Sequence, residues 1–456
     1  MAEYLYDLVI IGAGPGGYEA AFYAQELGMK VALVERDKVG GTCLNRGCIP
    51  TKALMHSSDV YRDAANGAEI GVEVTGLKAN RARIGERKDE VLDQLRDGII
   101  GLINKKKIDL ITGEAKIVAE HELRVGTQIV TADRIMLATG SHPFFPPIPG
   151  AELEGVIDST ELIDMGGAEI PEFVIIGGGV IGIEFATIYG DLGDHVTVIE
   201  GADRLLPVLD KEIGRSIKMT LEKKGIECHV KAPVQRIEKN GDKLAVIFLE
   251  KDKEVTVEAD KVLLCVGRRP TTDGLFGDEF AAKYELLDAK GFIKVNEQYQ
   301  TECPSVYAIG DCIGGIQLAH VSAAEGRNCV ALMTGGRATI QMGTVPSCIY
   351  TDPEIAVVGM TADEAKEAGI EVIVKKYPMS ANGKTLIAGL DRGFVKLVAR
   401  ADDHQLIGAH LLCGRASDLI GELSVAIGRG MMLEEVANII HPHPSFAEAI
   451  MEAARL

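Results

Sequence analysis

The feature that most constrains this chain is an internal repeat in which a glycine-rich turn stands between two apolar runs. The first copy reads YDLVIIGAGPGGYEAAFYAQELGMKVALVER and the second reads EFVIIGGGVIGIEFATIYGDLGDHVTVIEG. Each copy has the layout of a βαβ unit whose strands are buried on both faces. In each copy the second apolar run ends in an acid, Glu35 or Glu200, 23 positions after the first glycine. The repeat therefore predicts two parallel α/β domains.

Each glycine turn has the spacing of a dinucleotide-binding fingerprint. The first glycine of such a turn permits a tight bend, the second lets the backbone approach a pyrophosphate, and the third lets the helix pack on the strand. The terminal acid can accept hydrogen bonds from ribose hydroxyls, and an acid in place of an arginine at the second turn favours NAD over NADP. The alternative is a glycine turn with a structural role alone. The residues predicted to bind two dinucleotides are Gly12, Gly14, Gly17 and Glu35 in the first copy, and Gly177, Gly179, Gly182 and Glu200 in the second.

Size and composition indicate a folded protein of several domains. The chain has 456 residues, of which 46% are hydrophobic and 25% are charged, so a large core is available. A net charge of -19 argues against nucleic acid and against a membrane surface as partners. No apolar run reaches the roughly 18 residues that a membrane-spanning helix needs. We expect a cytoplasmic protein in which most of the nine cysteines are reduced thiols.

Changes of pattern along the chain predict where its domains meet. A Pro-rich segment, SHPFFPPIPG, follows an apolar strand and marks the end of the first domain. The later strands in KVLLCVGRRP and SVYAIGDC suggest that the chain returns to that domain, and no nucleotide fingerprint follows them. The predicted segments are a first dinucleotide-binding domain at 1–143, a second at 144–266, a return segment at 267–336, and a C-terminal α+β domain at 337–456.

One cysteine pair stands apart from the others, in the segment GGTCLNRGCIPTK. Cys43 and Cys48 are five residues apart, and five residues of ideal helix rise ~7.5 Å, so a disulfide between them requires a distorted turn. Gly47 and Pro50 are residues that permit such a distortion. The alternatives are two core cysteines or half of a zinc site, which usually has closer spacing and a second ligand pair. We favour a redox-active disulfide and expect no metal.

A histidine near the C-terminus is a second candidate for thiol chemistry. In HPHPSFAEA, His443 stands between two prolines that favour an extended backbone, and Glu448 follows five residues later. A carboxylate on one imidazole nitrogen raises the basicity of the other, which would give a general base for a thiol. From spacing alone, His441 and His443 are explained equally well as capping or surface residues.

Together these segments resemble the class I pyridine nucleotide-disulfide oxidoreductases, a family of flavoprotein disulfide reductases, over essentially the whole chain. GGTCLNRGCIPTK is close to the redox-disulfide signature of that family. GGGVIGIEF, VGRRP, AIGDC with QLAH, VPSCIYTDPEIAVVG and HPHPSFAE are similar to its dihydrolipoamide-oxidising branch. The sequence departs from the common pattern at Arg46, where a small apolar residue is usual, at Thr51, where Ser is usual, and in HPHPS, where HAHPT is usual.

The resemblance implies FAD at the first fingerprint and NAD at the second. It implies a homodimer whose C-terminal domain forms the interface. It also implies that Lys52 and Glu184 form an ion pair beside the reactive flavin nitrogen, and that Gly267 contacts the nicotinamide nucleotide. The further FAD contacts that it implies are Lys52, Ala115, Thr139, Gly140, Ser141, Asp311, Gln317, Leu318, Ala319 and His320.

The resemblance also implies the roles of the redox residues. Cys43 would exchange with substrate, Cys48 would face the flavin, and His443 would act from the partner subunit with Glu448 orienting it. The expected reaction is oxidation of dihydrolipoamide on a lipoyl-bearing protein, with reduction of NAD to NADH, in a 2-oxoacid dehydrogenase, acetoin or glycine cleavage system. The alternatives are a related reductase of another disulfide, or a flavin-binding structural or signalling protein without turnover.

Overall fold

The computed structural model describes residues 4–390 and 392–456, which form two compact units. The first unit contains the described residues up to Ala53, together with Gly85–Phe144 and Gly267–Met342. The second unit contains Leu54–Ile84, Phe145–Val266 and Gly343–Leu456. The finer division into four segments stays a prediction.

The described strands, in chain order, are β1 (Tyr6–Ile11), β2 (Val31–Glu35), β3 (Asp109–Thr112), β4 (Ala115–Ala119), β5 (Glu122–Val125), β6 (Gln128–Leu137), β7 (Ser141–Pro143), β8 (Val156–Ile157), β9 (Glu172–Ile176), β10 (His195–Ile199), β11 (Glu227–His229), β12 (Val234–Asn240), β13 (Lys243–Glu250), β14 (Lys253–Ala259), β15 (Lys261–Leu264), β16 (Arg268–Pro270), β17 (Val306–Ala308), β18 (Ser347–Ile349), β19 (Glu354–Gly359), β20 (Val372–Pro378), β21 (Phe394–Arg400) and β22 (Leu406–Cys413).

The described α-helices are α1 (Pro15–Glu26), α2 (Gly41–Arg46), α3 (Cys48–Ala65), α4 (Arg81–Lys105), α5 (Ser159–Asp164), α6 (Val180–Asp191), α7 (Lys211–Lys223), α8 (Asp278–Lys283), α9 (Ala319–Met333), α10 (Ala362–Glu367), α11 (Gly383–Ile387), α12 (Ala416–Gly428), α13 (Leu433–Ala437) and α14 (Glu448–Arg455). Short 3-10 helices lie at Gly67–Ile70, Gly310–Ile313 and Met379–Ala381.

The first unit is built on a sheet with the strand order β3-β2-β1-β6-β5-β4, in which β17 also pairs with β6. β1 is parallel to β2 and to β6, as its continuous apolar run predicts. β5 pairs antiparallel with both β4 and β6. Successive side chains of a strand point to opposite faces. Leu8 and Ile10 accordingly pack in a cluster with residues of α1 and α9, and Val9 and Ile11 pack in another with residues of β4, β5 and α8.

The second unit repeats the βαβ arrangement and adds two antiparallel sheets. Its parallel sheet has the order β11-β10-β9-β15-β8, with α6 connecting β9 to β10. β12, β13 and β14 form an antiparallel meander. The C-terminal sheet has the order β18-β19-β22-β21-β20, with α12 packed on β19 and β22, and α14 packed on β20 and β21. The predicted fold class, two Rossmann-like units and a C-terminal α+β region, is confirmed.

Candidate redox site and nucleotide-binding turns

The first glycine turn connects β1 to α1 and has a backbone that requires glycine. Gly12 has a φ of +106°, and a Cβ atom there would lie 2.3 Å from the carbonyl oxygen of Ala138. A Cβ atom on Gly17 would lie 1.9 Å from the carbonyl oxygen of Gly12. At Gly14, by contrast, a Cβ atom would meet only the Cα of Gly41, at 3.7 Å. The turn is closed towards the sheet and open at its second glycine, which is where a pyrophosphate needs room.

The second glycine turn, between β9 and α6, has the same geometry. Gly177 has a φ of +117°, and a Cβ atom there would lie 2.6 Å from the carbonyl oxygen of Cys265. A Cβ atom on Gly182 would lie 2.1 Å from the carbonyl oxygen of Gly177, whereas nothing lies within 4 Å of a Cβ atom on Gly179. Both turns thus fit a dinucleotide pyrophosphate at the N-terminus of the following helix.

The two strand-ending acids, Glu35 and Glu200, make matching contacts. Oε2 of Glu35 accepts a hydrogen bond from the amide of Ala13 at 2.8 Å, and Oε2 of Glu200 accepts one from Gly178 at 2.6 Å. In both acids Oε1 accepts from the amide two residues later, at 2.9 and 2.7 Å. Burial raises the pKa of Glu35. Each carboxylate is fixed beside its glycine turn and keeps lone pairs for ribose hydroxyls.

Several of the predicted FAD contacts lie in the loops that follow β6 and β17. Gly140 has a φ of +69°, and the hydroxyl of Ser141 donates to Oδ2 of Asp311 at 2.5 Å. Ala115 is the buried first residue of β4. Among the described residues, Nε2 of Gln317 is buried without a hydrogen-bond partner. A buried donor requires an acceptor, so this amide fits a ligand that supplies oxygen or nitrogen acceptors, as FAD does.

The remaining predicted cofactor contacts lie at element ends. Thr139 follows β6, Leu318 precedes α9, and Ala319 and His320 begin that helix. Gly267 has a φ of +136°, and nothing lies within 4 Å of a Cβ atom built on it. Leu318, Ala319 and His320 form the N-terminal end of α9, and a helix N-terminus suits contact with the phosphates of a nucleotide.

The cysteine pair spans a break between two helices. Cys43 lies in α2 and Cys48 begins α3, and Gly47 between them has φ -147° and ψ -108°, which interrupts the helix. No disulfide joins Cys43 and Cys48 in this structure. Interaction with the side chain of Cys48 and burial raise the pKa of Cys43, whereas the positive charge of Lys52 acts to lower it. The arrangement brings together two sulfur atoms and a cation that favours a thiolate.

Glu184 lies on α6 in the second unit, where its side chain is buried. Its Oε1 accepts a hydrogen bond from the backbone amide of Tyr350 at 3.1 Å. Lys52 belongs to the first unit, and the ion pair between these two residues stays a prediction.

His443 and Glu448 are brought together as a pair. Nδ1 of His443 lies 2.6 Å from Oε1 of Glu448, while the side chain of His443 is 81% exposed. The amide of Ser445 donates to Oε2 of Glu448 at 2.8 Å. This hydrogen bond and the one with His443 lower the pKa of Glu448. With Nδ1 engaged, Nε2 is the nitrogen left for proton transfer.

The neighbouring His441 has a different environment. Its side chain is 4% exposed, with Nε2 2.9 Å from Oε1 of Glu422 and Nδ1 3.0 Å from the carbonyl oxygen of Ile439. It therefore fixes the segment that carries His443, and its ring is not available to a substrate.

Two residues near the site have no signal in the sequence that identifies them. Tyr18 lies on α1, where burial, Glu19 and the two redox cysteines raise the pKa of its phenol to about 12. The backbone amide of Tyr350 donates to Glu184, and a contact made by a backbone amide does not depend on residue type. A tyrosine on a half-buried helix, such as Tyr18, is by default a packing residue, so neither residue could be chosen from sequence spacing.

No helix in the described part of the chain is long and apolar enough to cross a membrane. Residues 4–390 and 392–456 contain no group of three or more His, Cys, Asp or Glu side chains arranged to hold a metal ion.

Known proteins match the chain over its length. Residues 6–326 match the family described as Pyridine nucleotide-disulphide oxidoreductase, and residues 345–454 match the dimerisation domain of that family. Two dihydrolipoyl dehydrogenases of Bacillus subtilis (strain 168) are 39% and 41% identical, covering 99% and 98% of this chain and 96% and 97% of their own lengths. The structure of the HOCl-induced flavoprotein disulfide reductase RclA from Escherichia coli is also similar, with a TM-score of 0.88 and 29% identity, over 99% of this chain and 100% of that one.

Proposed function

Because the chain belongs to the pyridine nucleotide-disulphide oxidoreductase family, whose members are oxidoreductases that use FAD and NAD, we propose that it is a dihydrolipoyl dehydrogenase. Its substrate is dihydrolipoamide carried on a lipoyl-bearing protein of a 2-oxoacid dehydrogenase, acetoin or glycine cleavage system. The identity to dihydrolipoyl dehydrogenases is higher than that to the E. coli disulfide reductase, which supports lipoamide over another disulfide.

The observation that carries this proposal is the placement of Cys43 and Cys48 on either side of a helix break at Gly47, in a chain with two nucleotide-binding turns. A redox reaction between a dithiol and NAD needs one site that exchanges sulfur bonds and two that hold nucleotides. Cys43 and Cys48 supply the first. The two glycine turns, with the nearby acids Glu35 and Glu200, supply the others, for FAD and NAD respectively.

The residues of the chain provide the acid–base chemistry of the thiol step. Nε2 of His443 takes a proton from one thiol of dihydrolipoamide, and Glu448 holds the imidazole through Nδ1. The resulting thiolate attacks Sγ of Cys43 in the disulfide, and the bond to Cys48 breaks. The second substrate thiol then displaces Cys43, which releases lipoamide and leaves a protein dithiol. Two electrons and two protons have moved to the protein, and the positive charge of Lys52 acts to lower the pKa of Cys43.

FAD, when bound, supplies the two-electron chemistry that connects the cysteine pair with NAD. Lys52 and Glu184 are proposed to lie beside it as an ion pair. Gln317 and Asp311 are proposed to hydrogen-bond it, since the amide of Gln317 is buried and needs an acceptor.

A homodimer completes the site in this proposal. His443 is 81% exposed on the isolated chain, although a general base works best when solvent is excluded from it. The matched dimerisation domain at residues 345–454 carries this histidine. We therefore infer that His443 serves the cysteine pair of the partner subunit.

An anaerobic titration with dihydrolipoamide, followed by NAD, tests the proposed function. We expect a long-wavelength absorption band from the Cys48 thiolate beside the flavin, and then formation of NADH. Cys48→Ser should abolish both, whereas Cys228→Ser, which changes a buried cysteine on β11, should abolish neither. If NADH bleaches the flavin but dihydrolipoamide does not, the substrate is another disulfide and the proposal is wrong.

The lipoyl-bearing partner requires a separate measurement. We expect kcat/KM for a reduced lipoyl domain to exceed that for free dihydrolipoamide, because a protein partner adds binding energy outside the reacting sulfur atoms. Equal values for the domain and the free compound would contradict a protein-borne substrate.

A further inference from the structure

One side chain, Asn45, fastens the turn that separates the two redox cysteines. Its Nδ2 lies within hydrogen-bonding distance of three carbonyl oxygens, those of Lys38 at 3.3 Å, Val39 at 3.1 Å and Gly41 at 3.0 Å. These carbonyls belong to the segment between β2 and α2 and to the start of α2 itself. α2 has six residues, too few to be stable without such outside contacts.

Arg96, on helix α4, holds Asn45 from the other side. Its Nε and Nη2 both donate to Oδ1 of Asn45, at 3.2 and 3.0 Å. The side chain of Arg96 is 18% exposed, and its Nη1 also pairs with Oδ1 of Asp93 at 2.6 Å. The forked guanidinium therefore joins a helix more than 50 positions away to the redox turn, with a geometry that only arginine provides.

The same turn is tied to the first glycine turn. Arg46, which departs from the common family pattern, forms an ion pair with Asp37. The amide of Asp37 donates to Glu35 at 2.9 Å, and the amide of Gly40 donates to the carbonyl of Ala13 at 2.8 Å. The segment that leads from Glu35 to the cysteine turn is thus tied to the first glycine turn, and Asn45 lies close to its C-terminal end.

We propose that Asn45 and Arg96 are positioning residues that hold the turn from Gly41 to Cys48 and so set how readily Cys43 and Cys48 form their disulfide. This inference rests on the proposed function, because it treats the pair as the redox centre. Five residues of regular helix separate two Cα atoms by more than a disulfide accepts. Without Asn45 and Arg96 the turn relaxes towards regular helix, the two sulfur atoms move apart, and the dithiol is favoured over the disulfide.

The experiment measures this equilibrium directly in the purified holoenzyme. The protein is equilibrated with glutathione, so that protein dithiol and one oxidised glutathione give protein disulfide and two reduced glutathiones. Thiols are then trapped by alkylation, and the fractions are read by mass spectrometry of the peptide that contains Cys43 and Cys48. The variants are Arg96→Gln, Arg96→Lys and Asn45→Asp, with Arg87→Gln as a matched control on the same helix.

We expect Arg96→Gln to lower the disulfide-to-dithiol equilibrium constant about fivefold, which corresponds to the loss of roughly one hydrogen bond. Arg96→Lys should resemble Arg96→Gln, because a lysine keeps the charge without the fork. Asn45→Asp keeps an acceptor for Arg96 but loses the donors to three carbonyls, so it should lower the constant about tenfold. In Arg87→Gln the disulfide-to-dithiol equilibrium constant should stay within about twofold of that of the natural protein.

A second readout separates positioning from a general loss of folding. NADH oxidation by an artificial electron acceptor does not need the cysteine pair and should be unchanged in the Arg96 variants, as should the midpoint of thermal unfolding. The proposal is overturned if the Arg96 variants match Arg87→Gln, or if Asn45→Asp favours the disulfide. If Asn45→Asp does not fold, the Arg96 variants decide alone. Since the exchange partner is glutathione, failure of the natural protein to oxidise dihydrolipoamide would overturn the proposed function and leave this result standing.

Discussion

Nδ1 of His443 lies 2.6 Å from Oε1 of Glu448, and the other oxygen of that carboxylate is held by the amide of Ser445 at 2.8 Å. The amide of Ser445 thus fixes the position of the Glu448 carboxylate, and this carboxylate in turn orients the imidazole of His443. We predict that Glu448→Gln lowers kcat for dihydrolipoamide oxidation by about 100-fold, at the lower end of what general-base catalysis contributes. Steady-state rates check this, with Glu452→Gln on the same helix as the control. Equal rates in the two variants would show that the pair has no role in turnover.

Glu35 and Glu200 make matching contacts beside different glycine turns, so we predict that Glu35 affects FAD binding and that Glu200 affects the preference for NAD over NADP. In Glu200→Gln the carboxylate that repels a 2′-phosphate is gone, so the ratio of kcat/KM for NAD to that for NADP should fall about tenfold, or about 1.4 kcal/mol. In Glu35→Gln this ratio should stay unchanged while the protein loses FAD on dilution. Kinetics with both nucleotides and flavin fluorescence measure the two effects. A changed nucleotide preference in Glu35→Gln would mean that the two turns have been assigned to the wrong cofactors.

The two βαβ units could be predicted because their signals are local. A continuous apolar run, glycines at fixed offsets and an acid 23 positions after the first glycine all lie within one short segment, and Glu35 and Glu200 do lie beside their turns. The order β18-β19-β22-β21-β20 and the meander of β12, β13 and β14 could not be predicted. The hydrophobic periodicity of these segments predicts that they are strands. It does not predict which strand pairs with which.

The redox site likewise has residues that the sequence predicts and contacts that it does not predict. The spacing of Cys43 and Cys48 singles them out in the sequence, whereas His443 and Glu448 are identified by the family resemblance and not by spacing alone. Oδ1 of Asn45 and Arg96 meet across 51 positions, and Glu184 and the amide of Tyr350 across 166. No spacing rule relates such pairs, and in isolation an arginine on an amphipathic helix is read as a solvated side chain. The contacts that orient a site are therefore the part that only a three-dimensional structure supplies.

An ion cluster in the second unit connects α3, α6 and the segment before β19. Nη1 of Arg62 lies 3.0 Å from Oδ2 of Asp191, whose side chain is 4% exposed, and 3.4 Å from Asp352. Lys224 contacts both carboxylates, at 3.2 and 3.0 Å. We predict that Arg62→Gln lowers the free energy of unfolding of this region by about 2 to 4 kcal/mol, because a buried carboxylate loses one of its two cations. Asp63→Asn, which removes a partner that is 72% exposed, should change it by less than about 1 kcal/mol. Urea denaturation of both variants measures the difference, and equal effects would contradict a role for burial.

A buried histidine in the C-terminal sheet predicts how stability depends on pH. His410 lies on β22, 2% exposed, with Nε2 3.0 Å from the carbonyl oxygen of Met360 and, among the described residues, no hydrogen-bond partner for Nδ1. Burial lowers its pKa, and the charged groups near it are Asp210, Lys396 and Glu364. The folded protein therefore holds the neutral ring, whereas the unfolded chain binds a proton below about pH 6.5. The contribution of this group to stability is complete above that pH and is lost as the pH falls towards the lowered pKa of the folded state.

We predict that His410→Gln reduces the fall in the urea midpoint between pH 7.5 and pH 5.5. Glutamine can still donate to the carbonyl of Met360 but does not titrate. Burial acts to raise the pKa of Asp210, but the hydrogen bond from Lys396 keeps that pKa below its ordinary value. Asp210 therefore stays ionised between pH 7.5 and pH 5.5 and does not contribute to the difference between the variants. His142→Gln is the control, since that histidine is exposed and should leave the pH dependence as it is in the natural protein. If His410→Gln and His142→Gln lose stability equally on acidification, protonation of the buried ring is not what limits the stability of this sheet.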